Sequence, residues 1–332
     1  ESCAIVPDID LDLRRAGQEP PARAAAVLRA LGPLLRAERP SVVIVQGDTT
    51  SAFAAALAAF HQRVPVAHVE AGLRTADLRR PFPEEANRRL LSVLADLHFA
   101  PTVGARRNLL AAGADPGTVW VTGNTVIDAL RLVRRRLRAP AVRRLWLERF
   151  RREWGLDLEG GPPLVLVTGH RRESFGRPLR QICLALRDLA RARPVLVVYP
   201  VHLNPQVRRP VRALLQGERN VRLIEPLAYE PFVFLMDRAR LLLTDSGGIQ
   251  EEAPEMGRPV LVTRWQTERP EGLGSGNLEL VGSDRAAIVR RTLELLDDPA
   301  AYRRMARPAS PYGDGRAAGR IAAVLARRLV AP

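Results

Sequence analysis

The sequence predicts an α/β protein made of parallel sheets arranged in two domains. Three observations predict it. Short apolar, β-branched runs alternate with longer amphipathic stretches along nearly the whole chain, the pattern of sheets covered by helices on both faces. A length of 332 residues suits two domains of ordinary size, and 46% hydrophobic residues supply a core for both. Nearly every cluster of chemically capable residues follows an apolar run, where ligands sit in open parallel sheets.

Strands are expected at Ser41–Val45, Val66–Val69, Leu97–Ala100 and Val119–Thr122 in the first part of the chain. In the second part they are expected at Leu164–Thr168, Val195–Tyr199, Val221–Ile224, Arg240–Thr244 and Val260–Thr263. Amphipathic helices are expected between them, including Pro21–Arg36, Ser51–His61, Glu84–Ala95 and Arg177–Ala192. A basic, Pro-interrupted stretch, Leu132–Glu159, separates the two sets, and the domain boundary is expected near Thr122–Asp128.

Composition excludes several classes. No apolar run approaches the ~20 residues that span a bilayer, so no membrane insertion is expected. Cys3 and Cys183 are far apart in sequence and have no metal-like spacing, which fits a reducing, cytoplasmic setting. The five histidines form no short-range ligand pair, so no metal is expected. Net charge is +15, and all 51 basic residues are Arg. The arginines are scattered or lie on apparent helices, aromatics are only 5%, and no nucleic-acid motif is present. Nucleic acid is therefore not the expected partner. Part of the charge would favour an anionic small substrate.

The most informative stretch is Leu241–Pro254, LLLTDSGGIQEEAP. A buried strand ends abruptly at Asp245-Ser246-Gly247-Gly248, and a helix follows. Paired glycines allow close backbone approach, and a helix start offers N–H donors and a positive dipole end. Phosphate or pyrophosphate suits that arrangement. Glu251 or Glu252 could accept hydrogen bonds from a ribose diol. Taken alone, Ser-Gly-Gly reads more plainly as an ordinary strand-to-helix turn with a capping Ser, and its company changes that weighting.

Other strand ends carry Gly47-Asp48-Thr49-Thr50, Glu70–Thr75, Gly169–Glu173, Pro200-Val201-His202 and Thr267–Glu271. The second half supplies anion recognition through Ser246–Gly248, His170-Arg171-Arg172 and Arg269. The first half supplies the carboxylates of Asp48, Glu70, Glu84 and Glu85. A nucleotide-diphosphate sugar suits that division, with two sheets facing each other across a cleft. Each cluster has a plainer alternative: His170 and His202 as structural histidines, Arg171 and Arg172 as a solvated loop, Asp48 as a helix cap, Glu84 and Glu85 as favoured first-turn acids.

Together these blocks resemble the bacterial non-hydrolysing UDP-N-acetylglucosamine 2-epimerases. The blocks are GDTT (47–50), HVEAGLRT (68–75), PEEANR (83–88), GNTVID (123–128), TGHRRESFG (168–176), YPVHLNP (199–205), TDSGGIQEEAP (244–254), TERPE (267–271) and PYGDG (311–315), in the family's order. The resemblance implies a GT-B-like fold of two Rossmann-type, doubly wound domains. Residues 1–124 with a crossing helix in 313–332 would form one, and 125–312 the UDP-binding one. It implies reversible conversion of UDP-GlcNAc to UDP-ManNAc for surface polysaccharide synthesis, without a cofactor, in a homodimer. Asp48, Glu70, Glu84 and His170 match catalytic positions. Arg88, His202, Phe232, Ser246, Gly247, Gly248, Glu252 and Arg269 match substrate-binding ones.

The chemistry agrees. The C2–H of the sugar has no adjacent carbonyl to acidify it. Loss of UDP from C1 eases its removal and gives a glycal, to which UDP re-adds. Fixed donors would stabilise the departing pyrophosphate, and carboxylates would serve as acid and base. The family opens with a strand and a G-T-R-P-E loop followed by a Lys, whereas this chain begins near the family's third strand and has no Lys. It is therefore expected to be a fragment or incomplete gene product, inactive or poorly folded as it stands. Gln46, Trp265-Gln266 and Asn277 also depart from the family pattern and are expected to adjust substrate contacts. Rival readings are a hydrolysing 2-epimerase releasing ManNAc and UDP, a GT-B glycosyltransferase, and a non-catalytic nucleotide-sugar-binding remnant.

Overall fold

The computed structural model describes residues 5–13 and 18–330. They form two compact units, one from the residues up to Asp128 together with those from Tyr312 onward, the other from Ala129 to Pro311. Cys3 and the last two residues of the 313–332 segment lie outside the described residues.

In the first unit, β1 (Val43–Gln46), β2 (Val66–Val69), β3 (Leu97–Ala100) and β4 (Val119–Val121) form a parallel sheet in sequence order. Each crossover contains a helix, as parallel neighbours require. The Thr50–His61 helix buries a row of alanines, Ala52, Ala54, Ala56, Ala58 and Ala59, which lets its backbone lie close to its neighbours. On another side of the sheet, Ile321, Val324 and Leu325 of the Ala317–Val330 helix pack on Ala67, Val69 and Phe99. Asp128 fixes the start of that last helix by accepting from the N–H groups of Ala317 (3.1 Å) and Ala318 (3.0 Å). These are donors that a helix start leaves without intrahelical partners.

The second unit holds β5 (Leu164–Thr168), β6 (Leu196–Pro200), β7 (Val221–Ile224), β8 (Leu241–Thr244), β9 (Val260–Val262) and β10 (Leu278–Leu280). All pairings are parallel, and the order is β7-β6-β5-β8-β9-β10. The first strand is central and the order reverses beside it, as in doubly wound nucleotide-binding sheets. The crevice at the reversal lies outside the carboxyl ends of β5 and β8.

Most expected strands are present within a residue or two. β10 was not anticipated: its three residues, Leu-Glu-Leu, carry too little pattern to register. Leu132–Glu159 is largely helical and is interrupted at its proline. It comprises the end of the Thr125–Leu137 helix and the Pro140–Trp154 helix, which Pro140 opens at its first turn. Proline is favoured there because its missing N–H costs nothing.

His68 and His98 sit side by side on β2 and β3, both almost fully buried. His68 Nε2–H donates to the Gly47 carbonyl at 2.8 Å. Its Nδ1 is buried without a hydrogen-bond partner among the described residues. The neutral ring therefore fits, and a second proton would sit unpaired. Burial pulls His68 down to about 4, against the Gly47 bond, which favours the charged form. Burial, with Arg74 nearby, takes His98 to about 4 as well. A folded-state pKa below 6.5 means the contribution is complete above pH 6.5 and is lost as pH falls towards 4. The loss from His68 is about 3 kcal/mol. Urea unfolding of the chain and of His68→Asn between pH 7 and pH 4 measures it. The variant should show the smaller acid-induced drop, and equal drops would remove His68 as the cause.

Candidate functional site

The second unit presents most of its candidate residues at the carboxyl ends of β5, β6, β8 and β9. Asp245, 1% exposed, follows β8 directly. Its carboxylate accepts from the N–H of His170 (3.1 and 3.2 Å to its two oxygens), from the N–H of Arg171 (3.0 Å) and from Ser174 Oγ (3.0 Å). One side chain thus pins the segment after β5 to the end of β8. Below it, the hydroxyls of Thr168 and Thr244 are 2.6 Å apart. His170 Nδ1 lies 3.5 Å from Asp245 Oδ1, and the His170 and His202 rings stack with centroids 5.8 Å apart. Burial lowers the pKa of His170, with Asp245 opposing the shift. His202 Nδ1 accepts from the N–H of Asn204 at 3.1 Å, which leaves Nε2 as the protonated nitrogen of the neutral ring.

Ser246 opens the Gly247–Glu255 helix without a side-chain capping bond, so the capping alternative does not hold. Instead its N–H donates to Thr244 Oγ1 at 2.9 Å. Its carbonyl accepts from the buried amide of Gln250 at 3.1 Å. The two glycines differ. A Cβ on Gly247 would lie 2.4 Å from Arg269 Nη1, so this glycine seats the arginine and does not leave room for a ligand. A Cβ on Gly248 would meet nothing within 4 Å. Close approach to the helix start is therefore offered by Gly248.

Arg269 is held in place by Glu251, 2.6 Å from its Nε, and by Glu268. Glu268 also accepts from Arg264 Nη1 at 2.9 Å, with Arg171 Nη2 at 3.9 Å. Since Arg269 engages Glu251, Glu252 is the better-placed acceptor for a diol. Glu252 is almost fully buried, and burial raises its carboxyl to about 7, with Tyr229 O–H donation holding the rise back. Phe232, half-buried, lies on the Tyr229–Arg238 helix that brings Tyr229 to Glu252.

In the first unit, Asp48 follows β1. Its carboxylate accepts from Arg88 Nε at 2.9 Å and its carbonyl from Asn87 Nδ2 at 2.8 Å. The cap of the next helix is Thr49, whose Oγ1 accepts from the Ala52 N–H at 3.1 Å. Asp48 is thus free of the capping role. Arg88, 2% exposed, is also bound by the fully buried Glu85 at 2.7 Å. Glu70 follows β2 in the left-handed region, φ 64°, a conformation that a residue with a Cβ holds at a cost of roughly 1–3 kcal/mol. That turn sets its Oε2 over Gly47, 3.2 Å from where a Cβ would stand, while Asn124 Nδ2 donates to Oε1 at 3.3 Å. Asp48 and Glu70 therefore occupy adjoining strand ends. Glu84 is half-buried in the first turn of the Glu84–Leu94 helix that supplies Glu85 and Arg88.

Residues 1–326 match the family model described as UDP-N-acetylglucosamine 2-epimerase. The chain belongs to the UDP-N-acetylglucosamine 2-epimerase family. It is 51% identical over 318 residues to the probable UDP-N-acetylglucosamine 2-epimerase of Ralstonia nicotianae, covering 96% of this chain and 84% of that one. Against the Escherichia coli (strain K12) UDP-N-acetylglucosamine 2-epimerase, identity is 49% over 322 residues, with the same coverages. The Neisseria meningitidis UDP-GlcNAc 2-epimerase bound to UDP-GlcNAc superposes with a TM-score of 0.93 at 43% identity, covering 97% of this chain and 86% of that one. The Methanocaldococcus jannaschii UDP-GlcNAc 2-epimerase in complex with UDP-GlcNAc and UDP gives 0.83 at 29% identity, covering 97% and 85%. With these relatives the chain shares a GT-B-like α/β fold.

One departure from the epimerase pattern takes a role other than the expected one. Asn277 is buried, and its Nδ2 donates to the carbonyls of Met305 (2.8 Å) and Arg307, tying the end of the unit together. Sequence reasoning missed the pinning role of Asp245 and the Arg264–Glu268 pair. Asp245 and Glu268 stand within the 244–254 and 267–271 motifs, but nothing in the sequence marked Arg264. Among the described residues no three His, Cys, Asp or Glu side chains gather as metal ligands.

The two glycines generate a paired test. Gly248→Ala should keep or slightly raise stability, since Ala outranks Gly in helices by up to ~1 kcal/mol, yet weaken UDP binding at least about tenfold by placing a methyl at the helix start. Gly247→Ala should lower the melting temperature by displacing Arg269. Melting curves and calorimetric UDP titration check both. Undiminished UDP affinity in Gly248→Ala would remove this helix start from the site.

Proposed function

We propose that this chain is a non-hydrolysing UDP-GlcNAc 2-epimerase that interconverts UDP-GlcNAc and UDP-ManNAc. The carrying observation is the family match running through residues 1–326, which takes in every candidate residue of both units. The Neisseria relative carries UDP-GlcNAc, and the Methanocaldococcus relative UDP-GlcNAc and UDP. In this reading the uridine diphosphate lies at the β5–β8 crevice. The Gly248 helix start, His170 and Arg269 face the pyrophosphate, His202 lies beside His170, Glu252 accepts from the ribose, and Phe232 flanks the nucleoside. Arg88, buried against Asp48 and Glu85, positions the carboxylate on the sugar side.

Fixed N–H donors and a cationic group lower the barrier to C1–O cleavage because they favour the pyrophosphate most as its charge grows. His170, its pKa lowered by partial desolvation while 40% of its side chain stays exposed, is neutral and can take up a proton as that charge arrives. Asp48, Glu70 and Glu84 supply the acid and base for C2. Glu70 is the best placed by its own geometry, because a strained backbone aims it and Asn124 orients it. Water must be excluded while the glycal exists, or hydrolysis to ManNAc and UDP would follow. No metal or organic cofactor is required by this route. The buried thiol of Cys183 is pushed up to about 12 by burial and takes no part.

The reading extends to a cytoplasmic enzyme feeding surface polysaccharide synthesis, and to a homodimer. No helix among the described residues is long and apolar enough to cross a membrane. Support for the dimer comes from exposed apolar side chains on two helices packed together in the first unit: Phe60, Leu90 and Val93, the last 83% exposed.

Incubation with UDP-GlcNAc in heavy water should place solvent deuterium at C2 of UDP-ManNAc. Product lacking the label, or free ManNAc as the main product, would replace this mechanism. Glu70→Gln should lower turnover at least about a hundredfold with UDP affinity nearly unchanged; full turnover would take Glu70 out of the acid–base set. Light scattering should give twice the chain mass for the native protein and one chain mass for Val93→Asp. A native monomer would rule out the dimer.

A further inference from the structure

The second unit has another concentration of positive charge, at the opposite end of its sheet. The Tyr229–Arg238 helix runs against the strands, so Asp237 and Arg238 lie just ahead of β8, whereas Asp245 follows it. Four residues of strand separate the two ends by about 13 Å. At the near end is a cavity of about 170 Å³ lined by Arg134, Leu137, Arg138, Arg143, Phe234, Asp237 and Arg238. That is below the ~300–1,000 Å³ of pockets for larger organic ligands and suits a small, compact anion.

The charges there do not balance. Arg134, Arg138, Arg143 and Arg238 line the cavity, and Arg258 adjoins it through its bond to the Asp237 carbonyl. Two carboxylates answer these five guanidinium groups. Asp237 lies 3.7 Å from Arg134 and 3.8 Å from Arg258, and Glu159 lies 2.8 Å from Arg143. Glu255, which also acts on Arg134 from further off, is already bonded to Arg131 and Ser310. Three positive charges are left over.

Arg134, Arg238 and Arg258 also differ from the many solvated arginines on the surface. The Nε atoms of Arg238 and Arg258 are buried without a hydrogen-bond partner among the described residues. Burial lowers the pKa of Arg134 and of Arg238, and the nearby Arg143 lowers Arg238 further. The Arg238 guanidinium carbon lies over the Phe234 ring, 5.2 Å from its centroid. Phe234 and Leu137 make the cavity floor apolar. Guanidinium forks gathered around one cavity, Arg134 and Arg238 partly desolvated and Arg138 and Arg143 open to solvent, bind a tetrahedral oxyanion well, since each can give it two parallel N–H bonds.

We propose that Arg134, Arg138, Arg143 and Arg238 form a second anion site in the second unit, one that takes a phosphate or pyrophosphate group. It is separate from the β5–β8 crevice and does not depend on what that crevice binds. The group could be a free anion or the headgroup of a phospholipid, which share this chemistry.

Calorimetric titration of the full chain with pyrophosphate, in the presence of saturating UDP, tests the site. One equivalent should bind. Arg134→Gln and Arg143→Gln should each weaken that binding about tenfold, while Arg327→Gln, an exposed arginine on another helix, should leave it unchanged. Arg143 is half exposed, so its loss spares the core if Arg134→Gln proves unstable. Unchanged affinity in both cavity variants, equal weakening in Arg327→Gln, or no binding would overturn the proposal. Flotation with phosphatidic acid vesicles separates the sources. Flotation reversed by pyrophosphate identifies a lipid headgroup, and pyrophosphate binding without flotation identifies the soluble anion; either result supports the site.

Discussion

The second unit depends on a single buried carboxylate. Asp245 closes β8 and holds the segment after β5 by taking its N–H groups and the Ser174 hydroxyl. A doubly wound sheet leaves a gap at this point, because neighbouring strands send their connections to opposite faces. Without a bridge the two loops would diverge. With it, His170 and the Ser246–Gly248 helix start are fixed relative to each other before any ligand arrives. Such prior order avoids paying conformational entropy on binding.

Behind that bridge lies a compact group of buried charges: Arg264, Glu268, Arg269 and Glu251. Burying ion pairs contributes little net stability, since desolvation offsets most of the attraction. Their value here is geometric. Each arginine is gripped by two carboxylates, so Arg269 cannot swing away from Gly247. The same logic governs Arg88 in the first unit, clamped between Asp48 and Glu85. Two different sheets thus use a buried arginine to fix carboxylates and backbone in place.

How far the sequence could be read follows from these features. Strands such as Leu164–Thr168 and Leu241–Thr244 were legible because parallel strands buried on both faces need unbroken apolar runs. The candidate residues were legible as clusters because chemistry gathers where those runs end. Other roles were hidden. Nothing in the order of residues said that Gly247 makes way for Arg269 while Gly248 does not, since that depends on a side chain arriving from residues far along the chain. Nor could Asp48 and Thr49 be told apart as caps until the backbone turned at Gly47. Asn277 looked like a contact residue because its burial is a tertiary fact. The arginine-lined cavity was invisible for the opposite reason: in a chain with so many arginines, four more carry no signal until folding gathers them around one cavity.

The left-handed turn at Glu70 has a consequence for how this protein can change. Glycine would relax that backbone at no steric cost, so thermal tolerance alone would favour losing the acid. Stability-guided redesign that ranks substitutions by folding free energy would rank the mutation to glycine as an improvement there. Keeping a carboxylate at this point means accepting a softer fold, and position 70 would have to be held fixed in any attempt to harden the scaffold.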